Sequence, residues 1–170
     1  MKRFGLTLAL GGLLFGLVAC AHYRLGTGTQ PRFSRLYIAP VNSDALVPQA
    51  QALVSIQLRE AFLKDGRVTL ADSADSADAV LKVTLTNYRR EAVVALTSDT
   101  SLARRFDVTL TAKATLTLSA GAAPAFADRP LVATRGVFTD SGQQQAEYQN
   151  LPLLAEILAG QAVHATLDTW

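Results

Sequence analysis

Two pairs of adjacent arginines, Arg89-Arg90 and Arg104-Arg105, stand closest to recognisable binding chemistry in this chain. Each guanidinium offers a planar fork of five N–H donors, so a cluster of them would hold phosphates or an acidic partner surface. A hairpin turning through Leu96 to Leu102 would bring both pairs to one region of a sheet. The competing reading is ordinary solvation at strand edges, or pairing with Glu91 or Asp107. Asp72, Asp75 and Asp78 recur in DSADSADA and invite a calcium reading. An EF-hand loop needs ligands alternating over about twelve residues and a closing Glu, which are absent. A solvated connector whose short side chains cap local backbone groups fits better. His22 and His164 are the only imidazoles, and neither lies in a Ser-His-Asp order or a zinc signature. There is no glycine-rich nucleotide motif either. No cofactor and no catalytic residue is expected, and binding or assembly is the better class. Cys20 is the single thiol, so neither an internal disulfide nor a two-cysteine metal or redox motif is available.

Cys20 acquires a different meaning from its position. The chain opens MKRFGLTLALGGLLFGLVAC, with Lys2 and Arg3 ahead of an uncharged stretch from Phe4 to Val18. That run falls short of the ~20 apolar residues of a comfortable membrane span and has the layout of an export signal. It ends in Leu17-Val18-Ala19-Cys20, which resembles the lipobox of bacterial lipoproteins. The resemblance implies cleavage before Cys20, lipid on its sulfur and usually on its new amino group, and stable anchoring by several acyl chains. Ala21 in place of Asp favours the outer membrane in the enterobacterial sorting pattern. The expected division is a signal peptide over 1–19, a lipidated tether over 20–32 and a single periplasmic domain over 33–170.

Removing the signal changes the electrostatic picture. The whole chain carries 16 basic and 14 acidic side chains, and two of the basic ones are Lys2 and Arg3. The remaining domain is balanced, so nucleic-acid binding has no overall support. An exported domain without a disulfide must be held by its own apolar core.

The elements that would build that core follow from periodicity. FSRLYIAPV reads as a strand over Ser34–Ala39 that Pro40 ends. Ala50, Leu53, Val54, Leu58, Ala61 and Phe62 form an apolar stripe that predicts a helix over Pro48–Lys64, with Gly66 as terminator. A short strand is expected over Arg67–Ala71. In the next segment Leu81, Val83 and Leu85 alternate with Lys82, Thr84 and Thr86. The clearest signal runs from Arg105 to Leu118: Phe106, Val108, Leu110, Ala112, Ala114, Leu116 and Leu118 share one face, and Asp107, Thr109, Thr111, Lys113, Thr115 and Thr117 take the other. SAGAAPAFADRP reads as a linker, LVATRGVFT as a strand and SGQQQAEYQN as a polar connector. A last helix is expected over Leu151–Leu167 with Asn150 as N-cap. Strands with one polar face and helices with one apolar stripe combine most simply as an α+β two-layer sandwich: a mixed, mostly antiparallel sheet with two helices packed on one face.

Taken in order, CAHYRLG, LYIAPVNS, REAFLKDGRVTLAD, SADAVLKVTLTNYRRE and FDVTLTAKATLTL resemble the LptE-like lipopolysaccharide-assembly lipoproteins, over roughly Cys20 to Leu118. The resemblance implies a non-enzymatic outer-membrane lipoprotein partnered with a large β-barrel translocon of the LptD type, with lipopolysaccharide as a further ligand. It makes Cys20 the lipid attachment point. Ala21 stands where the family commonly has Gly. The family's basic contact residues find no match here, so Arg89, Arg90, Arg104 and Arg105 are candidates by placement alone. An auxiliary lipoprotein of a lipid-transport ABC system is the main alternative, and a hydrolase with an unrecognised site is a third.

Overall fold

The structure is a computed structural model and describes residues 31–93, 105–119, 123–138 and 143–168. Its elements are β1 (Arg35–Ile38), β2 (Asn42–Ser43), helix α1 (Pro48–Asp65), β3 (Thr69–Leu70), β4 (Ala79–Ala92), β5 (Arg105–Leu118), β6 (Pro124–Phe138) and helix α2 (Gln143–Leu167). The strand order is β3-β1-β4-β5-β6, with β2 also paired to β4. The long β4–β5 and β5–β6 pairs are antiparallel, and the short β1, β2 and β3 pairings are parallel. Both helices pack on one side, giving the expected α+β sandwich. The signal peptide, Cys20 and most of the tether lie outside the described residues, as do the Leu96–Leu102 turn and Arg104. Among the described residues no helix is long and apolar enough to cross a membrane.

Helix α1 forms where the four-residue spacing of Ala50, Val54, Leu58 and Phe62 gives one buried stripe, each of them at most 1% exposed. Pro48 opens it at a position that needs no amide donor. Gly66 closes it in the left-handed conformation (φ 74°), its N–H donating to the carbonyl of Phe62. Across the layer, Leu81, Val83 and Leu85 of β4 and Val108, Leu110, Ala112, Ala114 and Leu116 of β5 present the buried face of the sheet. Leu85 faces Ala112 and Val83 faces Ala114, so in these two pairs a large side chain meets a small one across the ladder.

Three local expectations change. The stretch read as a linker is mostly strand, because β6 starts at Pro124 and pairs back along β5 despite register shifts near Leu116. The polar connector is mostly helix: α2 begins at Gln143, and Asn150 is inside it. Gln, Ala and Glu are good helix formers, while Asn150 and Pro152 imitate a start signal. The third change is a bulge in β4 between Leu85 and Asn87. An extra residue reverses which side chains face the core beyond it. Tyr88 therefore packs against the core opposite Leu110, although it is of opposite parity to Leu85.

At the end of the sheet where the chain enters, polar groups close the fold. Asp78 accepts from the backbone N–H groups of Ser34 and Arg35, from the Ser34 hydroxyl and from the Arg35 guanidinium. The Arg35 hydrogen bonds, with those of Ser34, hold its carboxyl well below the usual carboxylate range. The connector thus caps backbone in two ways: locally, where the Ser76 hydroxyl donates to the Ser73 carbonyl at 3.0 Å, and far away in sequence through Asp78. Nearby, Arg67 bonds Asp65 at 2.7 Å and Asp168 at 2.6 Å, joining the end of α1 to the end of α2. His164 donates from Nδ1 to the other oxygen of Asp168. The Arg67 guanidinium lowers the pKa of Asp65, and His164 followed by Arg67 lowers that of Asp168.

Leu58→Ala should cost about 3 kcal/mol in urea unfolding, the usual scale for emptying a fully buried leucine site. Arg67→Met should cost about 1 kcal/mol, allowing for partial solvation of the network. Because Asp65 and Asp168 have depressed folded pKa values, their contribution is complete above the unfolded carboxylate pKa of ~4 and is lost as pH falls through the folded values. The stability gap between the natural chain and Arg67→Met should therefore be constant above about pH 5 and close below about pH 4. A gap that stayed constant to pH 2 would contradict this.

Candidate functional site

The face of the sheet opposite the helices carries side chains in cross-strand rows, and its rows at the far end from the chain's entry hold the candidate arginines. The first of these rows is Arg89, Thr109 and Thr134, and the next is Glu91, Asp107 and Gly136. The last is Val93, whose N–H donates to the Arg105 carbonyl, then Arg105 and Phe138. The bulge at Thr86 decides this allocation. Uninterrupted alternation from Leu81 would put Arg89 on the helix side and Arg90 on the open side. The observed pairing of Arg89 with Thr109 and Arg90 with Val108 does the reverse. Arg89 and Arg105 thus share the open face, about 13 Å apart along the strands, and Arg90 projects from the other. Arg104 lies outside the described residues.

Electrostatically this face alternates. Glu91 sits directly opposite Asp107, an unfavourable pairing of like charges on its own. Arg89 bonds Glu91 at 3.1 Å, and Arg105 lies 3.8 Å from Asp107, so a guanidinium flanks each carboxylate. The pairing reading of the arginines therefore applies to both, but unequally. At 3.8 Å, Arg105 makes an ion pair and no hydrogen bond. Its donors stay available, and its position is held by packing. The guanidinium lies over Gly136, where an added Cβ would come within 3.2 Å of Nε and of one terminal nitrogen. It also lies 5.8 Å from the centroid of the Phe138 ring, a cation–π distance. Phe138 is 63% exposed and Val93 37%. The end of the open face is thus an oriented arginine between apolar side chains, suited to an anionic group attached to an apolar body.

Other polar clusters offer less. His164 and Asp168 form a hydrogen-bonded pair, with the imidazole side chain 77% exposed. They adjoin a groove between the helices lined by Gln57, Glu60, Lys64, Glu156 and Gly160, where no hydroxyl or thiol is among the lining residues. Among the described residues no three His, Cys, Asp or Glu side chains come together as a metal site. Gly136 and Phe138 escaped the sequence reading because the neighbours of Arg105 come from another strand. The one available signal was their parity with Thr134 in LVATRGVFT.

A family model described as LptE, lipopolysaccharide-assembly, matches residues 33–165. No curated protein matches the chain. Among solved structures, a Xanthomonas campestris protein superposes with TM-score 0.58 at 15% identity, covering 84% of this chain and 90% of that one. The uncharacterized lipoprotein B of Nitrosomonas europaea gives 0.53 at 18% identity, covering 84% and 86%. A minor lipoprotein of Acinetobacter baumannii gives 0.51 at 17%, covering 78% and 92%. At these identities the likeness is one of fold.

Gly136→Val should leave the fold intact, since a β-branched residue suits a strand, while lifting the Arg105 guanidinium from its seat. NMR of the Arg105 side-chain Nε–H should show faster solvent exchange in the variant. An unchanged exchange rate would mean that Gly136 does not hold the arginine.

Proposed function

The chain belongs to the LptE lipopolysaccharide-assembly family, and from that premise we propose that it is an outer-membrane lipoprotein working with an LptD-like β-barrel translocon. In this reading residues 1–19 are an export signal, Cys20 carries the acyl chains, and residues 20–32 tether a periplasmic domain over 33–170. The domain supports assembly of the barrel and handling of lipopolysaccharide on its way to the outer leaflet. The observation that carries the reading is the family match across nearly the whole folded domain.

Within the domain, Arg105 is the contact best prepared for the phosphates of lipopolysaccharide or an acidic partner surface. Its guanidinium donates no hydrogen bond to another described residue, it lies over Gly136 in space that a side chain there would fill, and Phe138 supplies apolar surface beside it. Arg89 contributes positive charge on the same face while bonded to Glu91. Arg90 and Arg104 complete the basic set by sequence proximity. The role is binding and assembly rather than catalysis, in keeping with a non-enzymatic family.

Affinity capture with the full chain from envelope membranes should recover a large outer-membrane barrel. Recovery of an inner-membrane transporter instead would favour the ABC-auxiliary alternative and end this reading. Cys20→Ser should abolish acylation and release the chain from membranes. Arg105→Glu should weaken lipopolysaccharide binding about tenfold, the scale of one charge-assisted hydrogen bond. Charge reversal of all four arginines with unchanged binding would remove the arginine site.

A further inference from the structure

Strand β6 is an edge strand, and its outward backbone groups are covered over only part of its length. Gln161 of α2 bonds Val132 with both ends of its amide: the Val132 N–H donates to Oε1 at 2.9 Å, and Nε2 donates to the Val132 carbonyl at 2.8 Å. Val132 therefore turns its backbone away from β5. The period of a strand makes Pro130, Thr134, Gly136 and Phe138 do the same. The 3.0 Å contact between the Thr109 and Thr134 hydroxyls agrees, because side chains approach closest at cross-strand pairs that exchange no backbone bonds. Pro130 has no N–H to offer, and Asp128 bends the chain at φ 50°. One half of the edge is thus closed by proline, bend and glutamine. Thr134, Gly136 and Phe138 remain with outward N–H and C=O groups that no other described residue covers.

Charge identifies what would fit there. Arg135 lies between two of these residues, on the helix-side face opposite Val108. Its Nε is buried without a hydrogen-bond partner, and no ion pair joins it to another described residue. A strand added along Thr134–Phe138 would face Arg135 at a pair exchanging no backbone bonds, with Cα atoms about 4.5 Å apart. A carboxylate at that position would give the guanidinium its missing partner. Across the strand, the Arg105 guanidinium over Gly136 adds a second positive charge.

We infer that the Thr134–Phe138 edge of β6 receives an extended acidic segment of a partner protein as an additional strand. A second copy fits less well. Antiparallel self-pairing about Gly136 sets Val137 of the second copy opposite Arg135, and so short an edge buries far less than the ~1,200 Å² of a stable interface. This inference shares the Arg105 charge with the lipopolysaccharide reading but rests on Arg135 and on backbone pairing at the edge, which the open-face site does not use.

The test uses the full chain in detergent with two short peptides of alternating threonine and valine, one with a central aspartate and one with a central lysine. The aspartate peptide should bind about fivefold tighter, the scale of an exposed ion pair. The amides of Thr134, Gly136 and Phe138 should gain protection from hydrogen exchange. N-methylation of the peptide's bonding amides should abolish binding. Thr134→Pro removes one outward donor without touching the ladder to β5 and should weaken binding about tenfold, while Arg135→Glu should invert the preference between peptides. Equal affinity for the two peptides, or no binding of either, would overturn the inference. So would protection of the three amides that rises with protein concentration alone, which would assign the edge to a second copy.

Discussion

Leu58 and Phe62 of α1 and Leu154 and Leu158 of α2 meet Leu81, Leu85, Leu110 and Leu116 of the sheet in a single apolar layer. The sheet is buried on that side alone, and most of the structure follows from this asymmetry. A strand with one wet and one dry face tolerates no one-residue slip, since a slip would exchange the two sets of side chains. The threonines of β5 can therefore stay in solvent, and charged residues can gather on the open face without disturbing the core. The apolar layer holds the domain together, and the open face is free to be chosen for contact.

The bulge at Thr86 breaks that strict alternation within β4. It reverses the parity of β4, seating Tyr88 against the core and turning Arg89 to the open face with Arg105. It links a small backbone irregularity to the assignment of charge between two surfaces. The Gly136 seat has a similar character, since the absence of one side chain on β6 leaves room for another, from β5, to lie over it. Both devices determine what the end of the sheet presents.

These features show which parts of the structure can be read from residues in order. Strand β5 was legible along its whole length, Arg105 to Leu118, because thirteen steps of alternation allow no other period. Helix α1 was legible to within a residue, because its stripe, Pro48 and Gly66 all agree. The beginning of α2 was hidden by Asn150 and Pro152, which carry the marks of a helix start while lying inside one. The first half of β6 was hidden because alanine, proline and aspartate have little strand preference of their own, and pairing with β5 supplies the order. The bulge left no trace, since Thr84 and Thr86 suit either face. The arginines could be found as candidates, but the partners and face of each depended on contacts between strands remote in sequence.

Asp78 ties Ser34 and Arg35 to the first residues of β4, so the chain enters the domain beside Ala79. The 14 residues of β4 then run to Ala92, beside the row that holds Arg105. At about 3.3 Å per residue, the entry and the Arg105 end stand roughly 43 Å apart along the strand. The domain is a spacer as well as a fold. The chain enters at one pole and the guanidinium stands at the other, so the length of β4 separates whatever precedes the domain from the arginine at its far end.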